Sequence, residues 1–423
     1  MYAIVILVGG KGSRVSKLLK GKSKPEIEIL PNIKIVDFQI KNLVKLNKKI
    51  IFLSNVSHSS FRKHIETKYK NYDIDIIEES KPLGTGGSLA QLKKYKYKFF
   101  LIIDGDLIFN INFKKLVKYH KLKKSNCTLV VHPNNHPHDS DCLKINTGSK
   151  IEKFFLKPHR NININNLCLS GIKMINKNCL NILEDNKYQD FSKIFLKKLI
   201  KKKTIYAYNT REYIKDVGTP NRIKEFKREY RTIKFKKANI DKKIPAIFID
   251  KDGVINFLNK KKNYQDIKKI MTGVINSLKL INESGYLAIM ITNQPAVAKG
   301  FISENKLKND LCLLSSKLGQ NNVFFDRIYY CPHHPEKGHK YENKKFKIIC
   351  NCRKPKNGLF LKAIKELNID VTKSYMIGDQ ISDYIAAKKT KIKFIGISND
   401  VNVISKKITK KQNILDAVKY ILN

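Results

Sequence analysis

Two aspartates, Asp250 and Asp252, follow the apolar run Ala246-Ile247-Phe248-Ile249. Alternate residues of an extended chain point the same way, so both carboxylates can address one site if that run ends as a strand. Two carboxylates held that close are costly unless a cation shares them, which argues for Mg²⁺. A second acidic set, Asp104-Gly105-Asp106, directly follows the apolar run Phe99–Ile103. Its plain alternative is a solvated carboxylate at a strand end. Near the start of the chain, Gly9-Gly10-Lys11-Gly12-Ser13-Arg14 combines close-approaching backbone amides with a guanidinium fork. That combination suits a phosphate, and a simple tight turn is the competing reading. Sulfur supplies a third chemistry. Cys331-Pro332-His333 and Cys350-Asn351-Cys352 make a Cys₃His set in a lysine-rich stretch, of the kind that closes a tetrahedral Zn²⁺ site. His334 and His339 compete less well than His333, and buried free thiols are the bland alternative.

These groups need strands and loops to position them. Short apolar runs at Ile4–Val8, Ile50–Leu53, Phe99–Ile103 and Thr128–Val131 alternate with amphipathic stretches such as Ile35–Leu46 and Phe113–Leu122. Further runs at Ala246–Ile249, Ala288–Ile291 and Tyr375–Ile377 place Thr292-Asn293-Gln294 and Gly378-Asp379-Gln380-Ile381-Ser382-Asp383 at strand ends. Alternating strands and helices predict α/β domains with mostly parallel sheets. The lysine-rich stretch Lys224–Lys243 shows only scattered apolar residues. The expected division is a domain over 1–230, a linker over 231–243 and a second domain over 244–423. The pattern does not repeat between halves, so two different domains are joined.

In the first half the ordered motifs are the glycine turn at 9–14, Lys24-Pro25, Glu78-Glu79-Ser80-Lys81-Pro82-Leu83-Gly84-Thr85-Gly86-Gly87, Asp104-Gly105-Asp106 and Lys215-Asp216-Val217-Gly218-Thr219-Pro220. Together they resemble the sugar-1-phosphate nucleotidyltransferases across essentially residues 1–225. The resemblance implies a GT-A-like, Rossmann-like three-layer domain. Asp106 and Asp216 would hold Mg²⁺, Arg14 and Lys24 would neutralise the triphosphate, and Gly9, Gly10, Gly12 and Ser13 would cradle it. Gly84, Thr85 and Gly86 would lie against the base. A sugar phosphate oxygen then attacks the α-phosphorus and pyrophosphate leaves, which requires positioning and charge neutralisation but no protein nucleophile. The turn-forming alternative remains for Asp216. Asp104 stands where that family often has asparagine, Ser170-Gly171 where it often has Asn-x-Gly, and Leu156-Lys157-Pro158 where Glu-Lys-Pro is common, with Lys157 still able to reach the sugar phosphate. Gly21-Lys22-Ser23 is not a P-loop, because Ser16 occupies the position that needs the earlier glycine. His132, His136, His138, Asp139 and Asp141 are irregularly spaced among prolines and read as a polar loop rather than a substrate loop or metal site.

In the second half, Asp250-Lys251-Asp252-Gly253-Val254-Ile255-Asn256, Thr292-Asn293-Gln294, Arg353-Lys354-Pro355 and the acids at 379 and 383 resemble the haloacid-dehalogenase-type phosphatases over about residues 244–423. In that logic Asp250 attacks phosphorus and becomes an aspartyl phosphate, while Asp252 serves as general acid and then general base. Asp250, the backbone at Asp252 and Asp379 would coordinate Mg²⁺. Thr292, Asn293, Arg353 and Lys354 would bind the phosphoryl oxygens and substrate, and Asp383 would orient a neighbour. With the Cys₃His insert, the motifs resemble heptose bisphosphate phosphatases and the related histidinol-phosphate phosphatases. Pro295-Ala296-Val297 stands where Ser-Gly-Ile is common.

Composition bounds the rest. A chain of 423 residues with 42% hydrophobic and 9% aromatic content supports two or three cores and excludes wholesale disorder. No run of about 18 apolar residues occurs, and the first strand lacks a basic leader, so neither a membrane span nor a secretory signal is expected. Eight cysteines, clustered late, suit metal in a reducing compartment better than a disulfide scaffold. Lys+Arg 84 against Asp+Glu 36 leaves a net charge of +48. The excess is mostly lysine, spread along the chain beside isoleucine and asparagine, as a codon bias would leave it. It would still draw in phosphorylated small molecules. The combined expectation is a cytoplasmic bifunctional enzyme with Mg²⁺ and Zn²⁺. It would dephosphorylate D-glycero-D-manno-heptose 1,7-bisphosphate and join the 1-phosphate to a nucleotide from an NTP, GTP being preferred. The alternatives are a phosphatase for histidinol phosphate or another sugar phosphate fused to a hexose-1-phosphate nucleotidyltransferase, and a nucleic-acid end-processing phosphatase. The last expects a P-loop or a clustered basic, aromatic strip, and neither is evident.

Overall fold

The computed structural model describes residues 1–9, 19, 23–54, 59–159, 163–257, 264, 269–336, 338–397 and 408–423. These fall into two compact units: Met1–His132, Asp141–Leu156 and Cys168–Asn239 in the first, and Pro133–Ser140, Lys157–Leu167 and Ile240–Asn423 in the second. Among the described residues no helix is long and apolar enough to cross a membrane.

In the first unit, Tyr2–Val8 is buried at every position, as a strand covered on both faces must be. It lies between Ile50–Ser54 and Phe99–Asp104 and parallel to both, and Ile74–Glu78 continues the parallel set. Beyond Phe99–Asp104 the direction changes. Cys168–Asn176 runs antiparallel to that strand and to Cys127–His132, and Cys142–Ile145 and Ile151–Phe155 form an antiparallel edge. The sheet therefore keeps the parallel set expected of an α/β domain and adds an antiparallel side to it. The reason is visible in the edge strands, whose lysines and glutamate face solvent and break the continuous apolar run that marks a buried strand.

The lysine-rich stretch Lys224–Lys243, expected to show only scattered apolar residues and to include the linker over 231–243, is largely helical and packed. Pro220–Tyr230 and Ile233–Lys237 are helices, and Phe226, Phe235 and Ala238 are buried with Ile27, Phe38, Ile108 and Tyr213. Apolar residues spaced three or four apart among lysines suffice for a one-sided helix. Arg211 secures the end of the stretch by donating to the carbonyls of Lys237 (3.1 Å), Ala238 (2.9 Å) and Asn239 (3.3 Å).

In the second unit six strands are all parallel, in the order Arg327–Cys331, Leu287–Asn293, Ala246–Ile249, Tyr375–Gly378, Lys393–Gly396, Thr409–Lys410. Alternation sends Ile247 and Ile249 to one face, against Leu278 and Val418 of the helices Val274–Glu283 and Ile414–Leu422. Ala246 and Phe248 go to the other, against Phe360 and Ala386 of Gly358–Leu367 and Ile381–Lys389. That makes three layers, with each large side chain so buried contributing about 1.5–3 kcal/mol. The same order puts the carboxyl ends of Leu287–Asn293, Ala246–Ile249 and Tyr375–Gly378 side by side, where sites in such sheets are built.

Candidate active sites

Asp250 leaves its strand buried and meets the Lys354 Nζ at 2.6 Å. The same ammonium lies 2.6 Å from Asp383 Oδ1 and donates to the Ile291 carbonyl at 3.1 Å. Carboxylate oxygens of Asp250, Asp379 and Asp383 all lie within 4.8 Å of one another. Burial pushes the Asp250 carboxyl up to about 7, Lys354 opposing and Asp383 adding to the rise. Asp379 is pushed up to about 6, first by burial and then by Asp250. Burial favours loss of the Lys354 proton, yet Asp250 and Asp383 outweigh it and hold the ammonium well above its usual range. With all three ionised, the carboxylates against one ammonium leave two negative charges uncompensated, the charge of one divalent cation, and the raised carboxyls register that deficit. Asp379 Oδ1, buried and without a hydrogen-bond partner among the described residues, is the kind of atom such a cation would occupy. Gly253 allows this closeness: at φ +91° its absent Cβ would lie 2.1 Å from Asp379 Oδ2.

The side chain of Asp252 is outside that trio. Its Oδ1 accepts from Lys251 Nζ at 2.5 Å and Asn256 Nδ2 at 2.9 Å, and its Oδ2 from Gln294 Nε2 at 2.8 Å. Asn293, expected to face substrate, instead clamps the Lys354 backbone, donating to its carbonyl and accepting from its amide, both at 3.0 Å. It aims the lysine. Arg353 donates to the His333 carbonyl at 3.4 Å, which links it to the sulfur set.

That set converges as its spacing suggests. Cys331 and Cys350 sulfurs are 3.6 Å apart, Cys352 is 3.2 Å from each of them, and His333 Nδ1 is 3.2 Å from Cys352 and 3.7 Å from Cys331. Donors at about 2.0–2.3 Å from a tetrahedral ion would stand roughly 3.5–3.8 Å apart, close to these separations. Hydrogen bonding within the set, foremost from Cys331, pulls the Cys352 thiol down to about 5, while Cys331 is pushed up. The histidines at 132, 136 and 138 join no such set among the described residues. His136 instead bonds Ser140 Oγ at 3.0 Å in a polar turn.

In the first unit a two-stranded ribbon, Leu107–Asn110 against Tyr213–Asp216, brings Asp106 and Asp216 together. A Cβ on Gly218 would lie 3.3 Å from Asp106 Oδ2, 3.4 Å from Asp216 Oδ1 and 3.0 Å from Lys24 Nζ, so all three converge on that glycine. Lys24 pairs with Asp106, and Arg222 with Asp216. Buried Gln39 holds the turn by donating to the carbonyls of Asp104 (3.1 Å) and Leu107 (2.9 Å). Asp104 is compensated by Lys173 at 2.7 Å, which accounts for an acid where asparagine is common. Gly9 directly follows the first strand; Gly10, Gly12, Ser13 and Arg14 lie outside the described residues. Gly86 and Gly87 donate their amides to the Gln189 carbonyl at 2.8 and 2.9 Å, and Thr85 Oγ1 accepts from Phe191 N at 3.1 Å. These residues are thus explained by close packing on the segment at 189–191.

The family model described as Nucleotidyl transferase matches residues 3–232, more than half of the chain, and the one described as Haloacid dehalogenase-like hydrolase matches 348–397. The D-glycero-beta-D-manno-heptose-1,7-bisphosphate 7-phosphatase of Haemophilus ducreyi is 39% identical over 149 residues, 35% of this chain and 79% of that protein. The protein of that name from Pasteurella multocida is 40% identical over 148 residues, 35% of this chain and 78% of its own. The chain is a nucleotidyl transferase joined to a haloacid dehalogenase-like phosphatase. The solved structure of HddC from Yersinia pseudotuberculosis aligns with 55% of this chain and 100% of its own at 22% identity and TM-score 0.47.

The transferase and phosphatase parts each use residues to which the sequence assigned no role. Asn256 and Gln294 lie inside motifs already visible, two or four residues from a carboxylate or hydroxyl, and that proximity was the available signal. Arg222 follows Asp216 by six residues, placed by the Thr219 cap of its helix, whose Oγ1 accepts from Arg222 N at 3.3 Å. Nothing local marks Lys173 as the partner of Asp104, 69 residues away.

Proposed function

We propose that this chain is a bifunctional enzyme of nucleotide-sugar biosynthesis. Its phosphatase part removes the 7-phosphate of D-glycero-D-manno-heptose 1,7-bisphosphate. Its transferase part then joins the remaining 1-phosphate to a nucleotidyl group, with GTP as donor. The observation that carries this reading is the pairing in one chain of a segment 39% identical to heptose bisphosphate 7-phosphatases with a nucleotidyl transferase domain. The product of the first reaction is the acceptor of the second.

In the phosphatase part Asp250 attacks phosphorus, and the alcohol leaves with a proton from Asp252. Water then attacks the aspartyl phosphate, Asp252 takes its proton, and Asp250 is regenerated. Lys354 and Thr292 face the phosphoryl oxygens. Asp250 and Asp379, with Asp383 beside them, would hold Mg²⁺, which supplies the positive charge that lets a carboxylate approach a phosphate. In the transferase part Lys24 and Arg14 neutralise the triphosphate, and Asp106 and Asp216 would hold Mg²⁺ there. Cys331, His333, Cys350 and Cys352 would hold Zn²⁺, which fixes the loop that carries Arg353 and Lys354. The cytoplasm, as the source of nucleoside triphosphates, is the compartment this reading requires.

The test supplies the bisphosphate, GTP and Mg²⁺ and follows phosphate, pyrophosphate and the sugar nucleotide. All three should form. Asp250→Asn should yield no sugar nucleotide from the bisphosphate and a normal yield from heptose 1-phosphate. If that variant nucleotidylates the bisphosphate as readily as the parent uses the monophosphate, the order of steps is wrong. If the parent turns over neither heptose phosphate, the sugar assignment fails.

A further inference from the structure

We propose that Gln294 is a positioning residue of the phosphatase reaction, whose side-chain amide ties the Asp252 carboxyl group to the Thr292 hydroxyl so that both face one phosphoryl group. This rests on the reading of Asp252 as the proton donor and acceptor.

Gln294 is 2% exposed, and its Nε2 is 2.8 Å from Asp252 Oδ2 and 2.9 Å from Thr292 Oγ1. A primary amide nitrogen carries two hydrogens, so each acceptor takes one and the nitrogen is saturated. The amide orientation is dictated by its neighbour: turned over, its oxygen would face a carboxylate oxygen with no proton between them. Thr292 is itself 1% exposed. Having accepted one hydrogen bond, its hydroxyl keeps its single O–H to donate elsewhere, and the site adjoining Asp250 and Lys354 needs a donor. The other oxygen of Asp252 is held by Lys251 and Asn256, so the carboxyl is pinned on both sides and loses one when Gln294 is changed. The Gln294 backbone is anchored in turn, its N–H donating to the Cys331 carbonyl at 2.7 Å. The strand end that bears a member of the sulfur set therefore also fixes the amide.

The balance of the reaction shows what misplacement would cost. In the first step a bond forms between Asp250 and phosphorus, the phosphorus–alcohol oxygen bond breaks, and the Asp252 proton goes to the leaving oxygen. An alkoxide cannot leave without that proton, whereas 4-nitrophenolate can. Proton donation by a placed side chain is worth about 10²–10⁴-fold, and only the alcohol substrate draws on it.

The experiment measures kcat/KM of the full chain for benzyl phosphate and 4-nitrophenyl phosphate, which are of similar size. Gln294→Met should lower the benzyl value about 100-fold and the 4-nitrophenyl value less than about tenfold. Gln294→Glu, close in shape, puts a second carboxylate beside Asp252 and should give the same or a larger disparity. Transferase activity of the same preparations normalises for the amount of chain, and the thermal transition of the phosphatase part reports that it is folded. Equal losses on both substrates in both variants, or no loss, overturn the proposal, because a purely structural role cannot sense the leaving group. Asp252→Asn separates this from the underlying reading. Leaving-group dependence in Asp252→Asn but not in the Gln294 variants sinks only the role of Gln294. Its absence from Asp252→Asn sinks the acid role and the proposal together.

Discussion

Lys354→Met removes the ammonium set among three buried carboxylates while keeping an unbranched side chain. Lys354 is 3% exposed and lies 2.6 Å from both Asp250 and Asp383, so its loss leaves buried carboxylates without their ammonium. Removing one partner of a buried pair costs about 3–5 kcal/mol. At about 2–4 °C per kcal/mol for a domain of this size, the phosphatase transition should fall by roughly 10 °C. Proton uptake limits the loss, because burial already pushes Asp250 up to about 7. Without Lys354 it rises further, which favours the uncharged acid, a poor nucleophile, wherever Mg²⁺ does not hold the carboxylate. Phosphate release should therefore fall at least ~10³-fold, since a buried charge aimed at the phosphoryl oxygens is lost as well. Divalent cation binding should move the other way. The carboxylates then lack their competing cation, and the stabilisation by added Mg²⁺, read from thermal unfolding across a Mg²⁺ series, should increase. Transferase activity serves as the internal control. A variant that loses Mg²⁺ stabilisation, or keeps phosphate release within tenfold of the parent, would refute the charge argument.

Metal analysis of the purified chain should find about one zinc per chain, and Cys350→Ser should lower both zinc content and phosphatase activity while sparing the transferase; a zinc-free protein of full phosphatase activity contradicts the loop-fixing role. Asp106→Asn should abolish pyrophosphate release, because Asp106 and Asp216 converge where the triphosphate charge must be met, and phosphate release by the same preparation should be unchanged.

What could be read from the sequence is what repeats locally. A fully buried strand is a continuous apolar run, and the acids, threonine and glycines at its end are adjacent in the chain, so Asp250, Thr292, Asp379 and the Cys₃His set were all visible. Edge strands were missed because half of each faces water. The glycines at 84–87 were legible as a motif, yet their cause, the approach of the Gln189 carbonyl, lies 105 residues from Gly84. The partners of the acids were hidden for the same reason: Lys354 meets Asp250 across 104 residues, Lys24 meets Asp106 across 82, and Lys173 meets Asp104 across 69.

The lysine excess deepened that concealment. In a chain with 84 basic residues, a lysine chosen by sequence carries almost no information, since most cover solvated faces. Burial restores the distinction. Lys251, Lys354 and Lys173 are 0%, 3% and 5% exposed, and each meets a carboxylate at a strand end. A buried ammonium is tolerated only where an acid repays its lost hydration. The few lysines that lie within the sheets' carboxyl ends therefore mark the candidate catalytic edges, while the many outside them add only a long-range attraction for phosphorylated molecules.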